Sequence, residues 1–267
     1  MECRLDGKSA IITGGSAGIG KAIAINYVTS GANVAIVARR QETLDAAKAE
    51  IEAQAGKTAK SGKVIAISAD IRHATDCASA VEKTCQAFGQ VDILVNNAGT
   101  SQRGDFLEIS DALWQDDLDL KLFAAIRLSR LVIPAMRDRK WGRIINVLNV
   151  GAKVPNGGGA PTSVSRAAGM ALMKILANEN APHNILVNGL LVGRIESDQW
   201  VRRHAADDRG MSLDEWYADS AKSLNIGIGR FGTAAEFANM ATFLASDAGS
   251  YINGTAINVD GGSCPVV

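Results

Sequence analysis

The chain is poor in the groups that staple folds or hold metals. Its four cysteines, Cys3, Cys77, Cys85 and Cys264, stand far apart with no C-x-x-C pair, which argues against a disulfide framework and for reduced thiols. Its three histidines, His73, His183 and His204, show no H-E-x-x-H-type spacing, so no metal site is expected. An excess of charge is missing as well. With 28 basic and 28 acidic side chains the formal net charge is zero, leaving no electrostatic footprint for a nucleic acid or an anionic membrane. The apolar run before Gly14 is too brief for a signal peptide or a membrane span. These absences point to a cytoplasmic protein that handles a small molecule.

What is present is a large core. The 267 residues, 47% of them hydrophobic, suit one globular domain over 1–267, with no linker, repeat or low-complexity tract. Short β-branched runs recur at 9–13, 33–38, 64–69, 92–96, 143–149, 184–191 and 255–259. Between them lie segments of helical period, among them 19–30, 41–54, 75–88 and 234–244. Strands alternating with helices imply right-handed crossovers and a parallel sheet covered on both faces: a doubly wound α/β, Rossmann-like domain with seven strands. Residues 196–225 break the alternation just after a strand. They carry Trp200, His204, Trp216 and Tyr217 among many charges, and are read either as a small helical flap over a site or as a surface excursion.

The segment TGGSAGIG, residues 13–20, closes the first strand and opens the first helix. Gly14 permits the tight turn, Gly18 lets backbone approach a pyrophosphate, and Gly20 allows close packing, while the helix N-terminus offers free N–H groups. The T-G-x-x-x-G-x-G spacing, ADI at 69–71, NNAG at 96–99 and INGTAINVDGG near the end occur in order, and together resemble the short-chain dehydrogenase/reductase family over essentially the whole chain. The resemblance implies a nicotinamide dinucleotide held by Gly14, Ser16, Gly18, Ile19 and Gly20, with Asp70 and Ile71 at the adenine. It implies Asn97, Ala98 and Gly99 near the adenosine ribose, and Ile195 and Ser197 around the carboxamide, although Val192 replaces the proline of that motif. At the end of the second strand a carboxylate would favour NAD. Here stand Ala38, Arg39 and Arg40, which favour NADP(H), Arg39 being otherwise a solvated charge at a helix entry.

The catalytic end departs from the family. Members usually carry an asparagine, a serine and Y-x-x-x-K; by resemblance the tyrosine exchanges the proton, the lysine lowers its pKa and holds the ribose, and the serine orients the carbonyl. This chain has Lys121, Asn149, Thr162 and Arg166 at those four places. Misalignment does not explain it, because Tyr27, Tyr217 and Tyr251 all lack a lysine four residues on. An alkyl hydroxyl is a far weaker acid than a phenol, so Thr162 can hydrogen-bond but not donate a proton efficiently. Arg166 anchors without titrating, and Asn149 keeps an amide able to polarise a carbonyl. Lys121 is the one newcomer with titratable chemistry, or else an amphipathic-helix lysine reaching solvent. His204 and Tyr217 are further proton candidates, and Lys153 and Arg103 would enrich the pocket in cations and suit an anionic substrate.

The expectation is an atypical NADP(H)-dependent oxidoreductase acting on a small carbonyl or alcohol. A lyase or aldol-type enzyme built on Lys121, and a catalytically silent nucleotide-binding partner, remain as alternatives. The resemblance also implies a homotetramer or homodimer joined through helices beginning near Asp111 and Thr162.

Overall fold

A computed structural model describes residues 2–58 and 60–266. Seven strands form one all-parallel sheet: β1 (Ser9–Thr13), β2 (Asn33–Ala38), β3 (Val64–Ser68), β4 (Ile93–Asn96), β5 (Gly142–Asn149), β6 (Ile185–Val192) and β7 (Ala256–Val259). Their order across the sheet is β3-β2-β1-β4-β5-β6-β7. Every strand and helix anticipated above is present, with ends displaced by at most one residue.

The β-branched runs form strands because each side of the sheet is buried. Along β1, Ile12 joins a core with Ile36, Val95, Val147 and Leu190 beneath α1 (Gly18–Thr29), α2 (Gln41–Ala55) and α9 (Ala234–Ala245). Its neighbour Ile11 points to the opposite core, with Val37, Leu94, Ile144 and Val187 beneath α3 (Ala74–Phe88), α5 (Ala124–Arg139) and α6 (Thr162–Asn180). Alternate residues thus serve two cores. This explains why the runs are continuously apolar.

The strand order reverses between β1 and β4, so the connections leave in opposite directions and open a crevice at the carboxyl ends of those strands. Two features shape the rest of the rim. Helix α4 (Asp111–Leu118) runs into α5 through a wider π turn at Asp119–Phe123, and Lys121 lies within that turn. Residues 196–225 hold α7 (Asp198–Ala205) and α8 (Leu213–Ser223), packed on a small core of Ala221, Ile226 and Phe231 with Trp200, Tyr217 and Leu224 against it. Among the described residues, no helix is long and apolar enough to cross a membrane, and no three His, Cys, Asp or Glu converge as a metal site.

Candidate active site

The crevice begins at the glycine turn. Gly14 and Gly18 adopt positive φ of 67° and 52°. A Cβ on Gly20 would overlap the Gly14 carbonyl oxygen, so this turn closes only with glycine there, whereas one on Gly18 would meet nothing within 4 Å. Ala17 gives α1 no side-chain cap, which leaves its first N–H groups turned to an open cradle. A pyrophosphate fits that cradle. Asn97 fixes it from below: its Nδ2 donates to the Thr13 carbonyl at 2.8 Å, and Thr13 Oγ1 receives the Asn97 and Ala98 N–H groups at 3.0 Å each.

At the outer end of the crevice Arg39 and Arg40 are exposed, and neither guanidinium pairs with a carboxylate among the described residues. Asp70 does have a partner that the sequence did not suggest. Arg72 grips it at 2.5 Å and reaches on to Asp116, and that hydrogen-bonded pairing holds the Asp70 carboxyl below its ordinary range. Ile71 and Ile195 are buried, Ile195 in a bridge with Gly232, while Ser197 is the residue preceding α7.

Lys121, Thr162 and Arg166 come together at the other end. Lys121 Nζ donates to Asp117 and, at 2.9 Å, to Thr162 Oγ1; the side chains of Lys121 and Asp117 are both fully buried. Thr162 in turn donates to the Gln102 carbonyl at 2.7 Å and accepts the Gln102 N–H at 3.0 Å. A hydroxyl has one proton and two lone pairs, so every hydrogen-bonding valence of Thr162 is spent. It is a strut between α6 and the loop after β4. Arg166 donates to the Val147 carbonyl at 2.6 Å and lies against Gly99, where any Cβ would overlap its guanidinium. Asn149 Oδ1 is buried with no partner.

Burial pushes the Lys121 ammonium down to about 8; Arg166 adds to the fall and Arg103 adds less, against the upward pull of Asp117. Lys121 is therefore a buried, titratable group and not a lysine reaching to solvent. The tyrosines offer no substitute. Tyr27 lies in the core with its hydroxyl on the Ala241 carbonyl, Tyr251 is fully exposed, and Tyr217 packs on Phe231 and Trp216 within the core of residues 196–225. The His204 ring is likewise engaged, with Nε2 at 2.8 Å from the Met211 carbonyl and an edge contact to Trp216. Lys153 turns away to the Ala256 carbonyl at 3.1 Å. Sequence reasoning missed Asp117, Ser165 and Gln102, which complete this network; only the i,i+4 spacing of Asp117 and Lys121 hinted at the first.

The short chain dehydrogenase family model matches residues 8–208. The chain belongs to the short-chain dehydrogenase/reductase family. Uncharacterized oxidoreductase YvrD of Bacillus subtilis is 34% identical over 269 residues, covering 98% of each protein. L-sorbose reductase from Gluconobacter frateurii, solved with NADPH and L-sorbose, superposes with a TM-score of 0.93 at 33% identity over 100% of both chains. An NADPH-bound short chain oxidoreductase from Pseudomonas aeruginosa PAO1, described as containing an atypical catalytic center, gives 0.90 at 34% identity over 99% of both. Membership in this family supports an enzyme of the oxidoreductase class, and the family binds a nicotinamide cofactor.

Proposed function

We propose that the protein is an NADP(H)-dependent oxidoreductase that interconverts a small carbonyl compound and its alcohol, with Lys121 handling the proton. One observation carries this reading. Of the three N–H groups on Lys121, Asp117 takes one and Thr162 another, leaving one uncommitted among the described residues, and the Lys121 Cε and the Arg166 guanidinium both lie close to Gly99. A bound nicotinamide supplies or accepts the hydride. Below about pH 8 Lys121 is an ammonium able to protonate a forming alkoxide, and above it a neutral amine able to take the proton back. In this reading Arg166 would hold ribose hydroxyls, and the Asn149 Nδ2 amide would donate to the substrate oxygen. Thr162 acts through Lys121, since its own proton is fixed on Gln102.

The phosphate of NADP is matched by Arg39 and Arg40, which meet no competing carboxylate at Ala38, and two solved relatives are NADPH complexes. An anionic substrate is supported by Arg103 and Arg194. Neither is paired among the described residues, and burial together with the charges of Arg103 and Arg203 lowers the Arg194 pKa. In this reading the helical segment 196–225 closes over the substrate. A homodimer or homotetramer through α5 and α6 accords with the exposure of Phe123, Leu131, Val164 and Ile175 at 38–54%.

The test is NADPH consumption against aldehydes, ketones and 2-oxo acids. Lys121→Met should abolish turnover while leaving the calorimetric affinity for NADPH in place. Undiminished turnover in that variant contradicts the reading, and borohydride trapping of a carbonyl compound on Lys121 would move the enzyme to the lyase class.

A further inference from the structure

Asp117 is a fully buried carboxyl that none of the family's four catalytic places predicts. A buried acid persists only when paired and hydrogen-bonded. Both of its oxygens are used. Oδ1 faces Lys121, and Oδ2 accepts the Ser165 hydroxyl at 2.6 Å. Ser165 has one proton and a second acceptor at 3.1 Å, the Thr162 carbonyl; the shorter contact to a charged oxygen takes it. The chain Ser165–Asp117–Lys121–Thr162 thereby ends on the Gln102 backbone, and the third N–H of Lys121 has no partner among the described residues.

We propose that Asp117, steadied by Ser165, is the positioning residue that keeps Lys121 in the site as a charged proton donor. The inference rests on the role given to Lys121 above. Three charged groups act on that ammonium from the elements packed around it: Arg166 from α6, Arg103 from the loop after β4, and Asp117 from α4. The two guanidiniums and burial favour the neutral amine. Only Asp117 favours the cation. Without it a smaller fraction of Lys121 would hold a proton to give at neutral pH. In reduction the N–H bond of Lys121 breaks as the new O–H bond forms on the substrate oxygen, leaving a neutral amine between Asp117 and Thr162, and the next turnover requires a proton taken up from solvent through the site once product has left. If stability alone were at stake, a well-packed apolar pair would serve as well as this ion pair.

The experiment is NMR titration of the Lys121 Cε signal in ¹³C-lysine-labelled protein, assigned by its loss in Lys121→Arg, for the parent and for Asp117→Asn. The parent should titrate at about 8, and the variant lower by about one pH unit or more, with the high-pH limb of NADPH-dependent reduction moving by the same amount. An unchanged Lys121 midpoint in Asp117→Asn overturns the proposal. Should that variant not fold, the parent still decides: the Asp117 Cγ shift must respond at the Lys121 midpoint, and a flat Cγ signal there overturns the proposal equally. A lowered midpoint in a protein that reduces no carbonyl would uphold the positioning role and defeat the oxidoreductase reading instead.

Discussion

Thr162 carries a hydroxyl that ties two segments together rather than one free to react. Where a phenol would face the substrate, this hydroxyl bridges Gln102 and Lys121 with all its valences satisfied. Removing it leaves three polar groups short of a partner. Thr162→Val should therefore cost about 1–3 kcal/mol in urea denaturation, while Thr162→Ser stays near the parent. Equal stability of the valine variant would show that the strut carries no load. Positions 121, 149, 162 and 166 could be singled out from the sequence by the resemblance to the family. Asp117 and Ser165 could not, because their meeting depends on how α4 and α6 pack, and nothing local in either segment encodes that distance of 2.6 Å. Lys153 misled for the same reason: its sequence neighbours lie beside the site, but its ammonium ends on the β7 carbonyl of Ala256.

Among the elements, the β1–α1 turn and the end of β2 are the ones to which the proposed reading assigns the cofactor. Their geometry follows from local rules, a glycine wherever φ is positive or a carbonyl too near, and so was readable from the chain. The same holds for the strands, whose double burial imposes unbroken apolar runs. Less readable were the π turn at Asp119–Phe123, which has no composition signal, and the pairing of Arg72 with Asp70 and Asp116 across two elements. The cofactor prediction belongs here. NADPH should bind more tightly than NADH, and Arg39→Ala should narrow the difference by about 1–3 kcal/mol, the worth of a charge-assisted contact. Calorimetry giving the parent equal affinity for both dinucleotides would refute it.

At the scale of the whole molecule, one sheet edge carries both halves of the chemistry. The reversal between β1 and β4 opens the cradle, and the segments following β4 and β5, with α4 and α6, bring Lys121, Asn149 and Arg166 to its inner end. The family fold accounts for the glycine turn at the head of the sheet, while in the reading proposed here the proton is handled by a buried lysine and its counter-ion. The central claim is that this lysine, and not a phenol, carries the proton. Steady-state rates of NADPH-dependent reduction and NADP-dependent oxidation across pH, on one carbonyl and alcohol pair, test it most directly. Reduction should be constant below about pH 8 and fall roughly tenfold per pH unit above it, as the ammonium is lost, while oxidation should rise to a plateau through the same midpoint. Rates that stay flat through that midpoint in both directions would contradict the account.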